Sequence, residues 1–335
     1  MSHDHDVEDL QPAGRSGTGS PAAGGCCEGG CGCGDGEGGT YESGLDPALA
    51  ELLTEAGLDP IEVEDVATMA LAEDLAGGED VTSAATVPAD AVATADFTAR
   101  APGTVAGLRV AEALISLICE DEFEVERHVE DGARVAAGQV LLSVRSRTRD
   151  LLTAERGALN LLCHLSGIAT VTRAWADAVE GTGATIRDTR KTTPGLRSLE
   201  KYAVRCGGGV NHRMALSDAA LVKDNHVVAA GGVAEAFRAV RAAYPDLPVE
   251  VEVDRLDQIP PVLEAGADLI LLDNFTVPQL KDAVALVAGR ARLEASGGLT
   301  LAAARAVAET GVDHLAVGAL THSAPVLDIG LDLRS

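Results

Sequence analysis

The chain is predicted to be an α/β protein, with a TIM-like α/β barrel in its C-terminal half and a smaller N-terminal α+β sandwich domain before it. Three observations predict this. From about residue 185 onward one pattern repeats, a short apolar strand with a polar residue at its end, a loop and a helical stretch, which is the rhythm of βα units. Between residues 93 and 144, alternating segments separated by Gly and Asp-Gly turns read as strands around one helix. A length of 335 residues with 46% hydrophobic content is ample for two cores.

Residues 1–44 are rich in Gly, Ser, Pro and acidic groups and have no periodic apolar face, so they are expected to form a disordered tail. Cys26, Cys27, Cys31 and Cys33, with His3 and His5 upstream, could hold a soft metal, although their spacing matches no common zinc pattern. Together with the scattered Cys119, Cys163 and Cys206 they imply no disulfide framework.

The N-terminal domain is expected over residues 45–150. Leu49, Leu52, Leu53, Val63, Val66, Met69 and Leu71 suggest helices leading to Glu73-Asp74. Ala93 to Val105 reads as strand, Val110 to Ile118 as helix, and Phe123 to Val144 as two or three strands turning at Asp131-Gly132 and Gly138. That last hairpin superficially resembles part of a biotinyl or lipoyl carrier, but it lacks the lysine such carriers need, so it reads as a plain sheet-building hairpin. Thr148 to Val179 places Leu151, Leu152, Leu159, Leu162, Leu165 and Ile168 at helical spacing and should bridge the domains. Within it, Glu155 and Arg156 are open to reading as a local ion pair.

The barrel domain is expected over residues 151–324. Strands are assigned to Thr185–Asp188, Ala219–Lys223, Val249–Val253, Leu269–Asp273, Arg292–Ala295 and His314–Val317, and helices to Val233–Ala243, Leu256–Ala265, Val277–Val287 and Leu301–Thr310. Barrel chemistry sits at the C-terminal strand ends, here Asp188, Lys223, Glu252, Asp273, Ser296 and Gly318. Carboxylates at such ends are costly unless they bind something, either a ligand or a barrel lysine. The C-terminal tail, residues 325–335, is expected to return to the N-terminal domain.

A net charge of −26 repels nucleic acid and anionic membranes, and 2% aromatic content leaves few rings for base stacking. No stretch approaches the about 18 apolar residues of a membrane span, and the start of the chain is acidic, so the expected location is cytoplasmic. Abundant carboxylates with few lysines also fit a surface adapted to high salt.

One segment reverses the sign. Residues 187–226 carry 8 Lys+Arg against 4 Asp+Glu, a charge of +4 that leaves −30 for the remainder. Arg187, Arg190, Lys191, Arg197, Lys201, Arg205, Arg213 and Lys223, with His212, surround Gly207-Gly208-Gly209, and three of the four lysines in the chain lie here. A cationic island of this kind points to an anionic substrate; a solvated, ion-paired helix face is the plainer alternative. Glu252 and Asp273 opposite it would bind hydroxyls or Mg2+, so a phosphorylated sugar matches both faces. Glycine steps at Ser296-Gly297-Gly298 and Val317-Gly318-Ala319 suit phosphate.

The ordered motifs Arg187-Asp-Thr-Arg-Lys-Thr-Thr-Pro-Gly-Leu-Arg197, Lys201-Tyr-Ala-Val-Arg-Cys-Gly-Gly-Gly-Val-Asn-His-Arg213 and Leu221-Val-Lys-Asp-Asn-His226 strongly resemble the quinolinate phosphoribosyltransferase family. Thr153–Asn160, His164–Thr170, Glu250–Asp254, Leu271–Phe275, Glu294–Gly298 and Val317–His322 extend the resemblance over nearly everything after residue 45. It implies that the barrel is incomplete and open. It also implies transfer of ribose phosphate from phosphoribosyl pyrophosphate to the ring nitrogen of quinolinate with loss of CO2, using Mg2+, in NAD biosynthesis. By the same resemblance Arg190, His212, Arg213 and Lys223 would clamp the pyridine carboxylates, and Thr189 and Lys191 would face the phosphoribosyl pyrophosphate. Glu252 and Asp273 would hold the ribose hydroxyls, acting with Lys191 as the catalytic set. Backbone at Ser296, Gly297, Gly298, Val317, Gly318 and Ala319 would take the 5′-phosphate. Arg156 would reach a neighbouring subunit's pocket, implying a homodimer or a dimer-based hexamer. Competing readings are a Schiff-base aldolase using Lys223, a non-catalytic anion-binding barrel, and the transferase-like protein encoded with some molybdate transporters.

Overall fold

The computed structural model describes residues 43–119 and 123–334; the glycine-rich tail through Glu42, with its four cysteines, lies outside them. Three helices come first: α1 (Pro47–Glu55), α2 (Pro60–Leu75) and α3 (Val81–Thr86). Each starts behind an aspartate, Asp46, Asp59 or Asp80, whose carboxylate accepts from backbone N–H groups of the first turn. Such a cap contributes about 1 kcal/mol. Then follow β1 (Val92–Ala99), β2 (Gly103–Thr104), α4 (Leu108–Cys119), β3 (Glu124–Arg127), β4 (Arg134–Val135) and β5 (Val140–Arg147). The strand expected over Ala93–Val105 is thus two pieces. Its break contains Pro102, which has no N–H to give a ladder, and β2 pairs with β4 in a separate sheet.

The helix α5 (Thr148–Val179) runs from this domain into the next and packs against α2 and α4. Its Leu151, Leu162 and Leu165 are fully buried with Leu114 and Phe97 of the sandwich, each such side chain contributing about 1.5–3 kcal/mol of burial. Beyond it come β6 (Thr185–Arg187), α6 (Arg197–Cys206), β7 (Ala220–Val222), α7 (Asp224–Ala230), α8 (Val233–Ala243) and β8 (Val249–Val253). The last stretch holds α9 (Ile259–Glu264), β9 (Leu269–Asp273), α10 (Val277–Val287), β10 (Arg292–Ser296), α11 (Leu301–Ala308), β11 (His314–Ala316), α12 (Ala319–His322) and β12 (Ile329–Arg334). The helix expected over Leu256–Ala265 is split, a 3-10 turn at Leu256–Gln258 preceding α9. Pro260 and Pro261 lack the N–H groups that a continuous helix would use there.

Six parallel strands form one sheet in the order β6-β11-β10-β9-β8-β7. Ladders between neighbours align the strand ends, as in Ser296↔Asp273 and Val253↔Leu272. Among the described residues β6 and β7 are not paired with each other, and Val210 bridges to Arg187 at the end of β6. A second sheet, β12-β1-β5-β3, is antiparallel throughout. The chain reaches it by passing against α5, where Leu327 N–H donates to the Cys163 carbonyl at 3.0 Å. A Cβ at Gly167 would stand 2.2 Å from the Pro325 carbonyl oxygen, so only glycine admits that crossing. No helix among the described residues is long and apolar enough to cross a membrane.

Candidate active site

At the C-terminal ends of the parallel strands lies a cavity of about 320 Å³. Thr189, Arg190 and Lys191 border it after β6, His212 and Arg213 after the Val210 bridge, and Leu221 and Lys223 at β7. Glu252 of β8, Leu271 and Asp273 of β9, Glu294 and Ser296 of β10 and Ala316 of β11 complete the lining.

The cationic loop is pinned at both ends. Asp188, wholly buried, accepts from Lys201 Nζ at 2.5 Å, Asn211 Nδ2 at 2.6 Å and His212 N–H at 2.7 Å. Lys201 Nζ also donates to the His212 carbonyl at 2.9 Å. At the other end buried Glu200 accepts from Thr193 N–H at 3.1 Å and pairs with His164 Nε2 at 2.9 Å. Between these anchors Lys191 is fixed through its backbone: its N–H donates to Thr189 Oγ1 and its carbonyl accepts from Thr321 Oγ1. Its stem lies across Gly318, where a Cβ would meet Lys191 Cδ at 3.0 Å.

Four basic residues, Arg190, Lys191, Arg213 and Lys223, share the lining with three carboxyl groups, Glu252, Asp273 and Glu294. Arg213 donates to the Ala219 carbonyl at 2.9 Å, while its Nε and that of Arg190 are buried without a protein partner. Burial, and then the charge of Arg190, hold Arg213 below its usual pKa. Desolvation raises Glu252, opposed by Lys223 and reinforced by Asp273. Beneath them Arg187 donates to Glu294 at 2.7 Å and approaches Glu250 at 3.7 Å, and His212 Nε2 meets Glu250 at 2.8 Å. His212 Nδ1 accepts from Arg213 N–H at 2.7 Å, which puts the ring proton on Nε2. Ser296 ends β10 in a turn where Gly297 has φ +88° and a Cβ would overlap the Asn274 side chain at 2.2 Å.

Sequence comparison places the chain in a family. Residues 80–166 match the family description "Quinolinate phosphoribosyl transferase, N-terminal domain" and residues 168–332 match its C-terminal counterpart. The chain belongs to the quinolinate phosphoribosyltransferase family. It is 58% identical over 273 residues to the nicotinate-nucleotide pyrophosphorylase [carboxylating] of Mycobacterium leprae (strain TN), covering 80% of this chain and 96% of that protein. It is 40% identical to quinolinate phosphoribosyltransferase [decarboxylating] 2, mitochondrial, of Nicotiana glauca, covering 81% and 82%. The crystal structure of NadC from Streptococcus pyogenes superposes with a TM-score of 0.79 at 40% identity, covering 83% of this chain and 99% of that one. The nicotinate-nucleotide pyrophosphorylase of Francisella tularensis gives 0.78 at 36%, covering 82% and 96%.

Of the residues that the family resemblance nominated, Thr189, Arg190, Lys191, His212, Arg213, Lys223, Glu252, Asp273 and Ser296 line one cavity. Gly297, Gly298, Val317, Gly318 and Ala319 border the turns after β10 and β11 without lining it. Arg156 is exposed on α5 and does not line it either. The island of charge needs correcting, because half of it is structural. Arg187 and Lys201 are paired with buried carboxylates, Arg197 holds Thr192 and the Met214 carbonyl, and Arg205 holds Asn211 and the Ala56 carbonyl. Asp188 needs the same correction: it is not a strand end open to ligand but the buried anchor beneath one. Lys223 is exposed at the start of α7, unlike the desolvated lysine that Schiff-base chemistry requires. Glu250 and Glu294 were missed, although a glutamate inside an apolar strand such as Val249-Glu250-Val251-Glu252-Val253 is itself a signal.

Proposed function

We propose that this chain converts quinolinate and phosphoribosyl pyrophosphate to nicotinate mononucleotide, pyrophosphate and CO2, the phosphoribosyl transfer of de novo NAD biosynthesis. The observation that carries this is the make-up of one cavity lining, in which Arg190, Lys191, Arg213 and Lys223 meet Glu252 and Asp273 at the strand ends. Guanidinium groups of Arg190 and Arg213 grip the two pyridine carboxylates, a charge-assisted contact worth about 1.5–3 kcal/mol each. Gripping them aims the ring nitrogen's lone pair at the sugar, so no base is needed to activate it. Glu252 and Asp273 accept from the ribose hydroxyls and stabilise positive charge as the bond to pyrophosphate opens. Lys191 neutralises the leaving group.

Mg2+ belongs to the same proposal. Such an ion commonly takes one or two protein carboxylates and completes its shell with substrate phosphates and water. The mouth offers that much: Glu252 is balanced by Lys223, and Asp273 would hold the ion while its other contacts go to the ribose. When bound, the ion offsets charge building on the departing pyrophosphate. His212, Glu250 and Glu294 also approach one another closely enough for a metal, but Arg187 already supplies the positive charge there.

A dimer completes the reading. Arg156 stands exposed on α5, and beside the mouth lies an apolar groove of about 830 Å³ lined by Leu216, Val222, Ala236, Val240 and Tyr244. Both suit a second copy whose arginine enters this cavity. Mixing Arg156→Ala with Lys223→Ala subunits is expected to restore one working site per mixed dimer, measured as pyrophosphate release; failure to complement places Arg156 elsewhere. The free thiols Cys119, Cys163 and Cys206 agree with work in a reducing cytoplasm.

The deciding experiment measures CO2 and pyrophosphate from purified protein with quinolinate, phosphoribosyl pyrophosphate and Mg2+. Both products are expected in equal amounts and only with both substrates. Pyrophosphate formed equally well with nicotinate in place of quinolinate sinks the decarboxylating assignment.

A further inference from the structure

Loss of CO2 leaves an electron pair on ring C2, and the product carries a hydrogen there. Some group must deliver that proton. We propose that Glu294 is the acid that protonates C2, an inference that rests on the phosphoribosyl-transfer reading above and assigns a step it leaves open.

The geometry singles this carboxyl out. Glu294 sits in the middle of β10, fully buried yet bordering the cavity, and its Oε1 has no hydrogen-bond partner. Its Oε2 accepts from Arg187 at 2.7 Å, so the carboxylate formed by giving up a proton has its counter-ion in place. The charged groups around it come from every neighbouring element: Arg187 and Asp188 from β6 and its end, His212 from the adjoining bridge, Glu250 from β8 and His314 from β11. From β9 it faces apolar Leu271. Burial, and then the charge of Glu250, push Glu294 up to about 8 against the pull of Arg187. The neutral form is thereby favoured, on a carboxyl that borders the cavity and whose Oε1, 3.9 Å from His212 Nε2, has no hydrogen-bond partner.

The basic residues of the cavity are less suited as donors. Arginine does not release its proton, and an ordinary lysine, with a pKa of about 10.4, is a weaker acid. Lys191 and Lys223 would also lose the charge that holds the anions. In the step itself the bond from C2 to the carboxyl carbon breaks, CO2 leaves, and the electron pair stays on C2 beside the cationic ring nitrogen. The Glu294 O–H bond then breaks and its proton joins C2. The carboxylate left beside Arg187 takes a proton from water once product departs.

The reverse of this step is measurable without any decarboxylation. Wild-type protein incubated with nicotinate mononucleotide in D2O is expected to exchange the C2 hydrogen, faster as the pH rises through about 8 and Glu294 becomes the base. Glu294→Gln keeps an acceptor for Arg187 and is expected to slow exchange at least 100-fold while direct quinolinate binding changes by less than threefold. Glu294→Asp, with the same acid on a shorter stem, is expected to recover part of the exchange and covers the case of a glutamine variant that does not fold. Exchange by Glu294→Gln within threefold of wild type, or wild-type protein that converts quinolinate without exchange, overturns the assignment. Protein that fails to convert quinolinate at all overturns the phosphoribosyl-transfer reading instead.

Discussion

Replacing Lys201 with methionine is expected to cost about 3–5 kcal/mol of folding stability, the penalty for stripping one partner from a buried ion pair. The ammonium is wholly buried on α6 and binds both Asp188 and the His212 carbonyl. Burial, and to a lesser degree the charges of Arg197 and Arg187, lower its pKa, and Asp188 opposes that shift, so the pair persists because each charge compensates the other. Methionine fills much of the same space but leaves Asp188 with only Asn211 Nδ2 and His212 N–H as donors. Urea unfolding should show a lower midpoint with little change in slope. Lys201→Met combined with Asp188→Asn should regain a substantial part of the loss. A single-variant cost below about 1 kcal/mol would mean that the pair is not closed off from water as the structure has it.

Arg213→Ala is expected to weaken quinolinate binding by roughly 10- to 150-fold, corresponding to about 1.5–3 kcal/mol for one charge-assisted hydrogen-bonded pair. The fold should survive, because within the protein this guanidinium donates only to the Ala219 carbonyl, while Asp218 still holds the loop through the Met214 and Ala215 amides. Arg213→Lys should recover only part of the affinity, since an ammonium keeps the charge without the planar fork. Titration calorimetry with quinolinate would check both variants. Unchanged affinity in Arg213→Ala would place the pyridine carboxylates elsewhere in the cavity.

How much of this was legible beforehand follows from what local sequence encodes. Val249–Val253, Leu269–Asp273, Val233–Ala243 and Val277–Val287 have the same limits in the sequence reading and in the structure, because each is an apolar run or periodic face bounded by Gly, Pro or Asp. In Arg197–Cys206 the charges dominate the text and hide the helix that buries Leu199, Tyr202, Ala203 and Val204. Charge runs mislead for a related reason. Lys191 and Lys201 look alike in the text, yet one borders the cavity and the other is sealed against Asp188. Their difference lies in partners brought by other elements, which spacing along the chain does not encode.

The final strand carries a consequence for biosynthesis. Because β12 lies along β1 from Thr94↔Arg334 to Ala99↔Ile329, with Arg334 clasping Asp96 and Arg100 clasping Asp332, the antiparallel sheet lacks this edge until residues 329–334 have been synthesised. Until then β1 is paired on one side only, by β5, and its other flank is able to recruit a stray strand; the sheet closes only after the strands of the parallel sheet have been made.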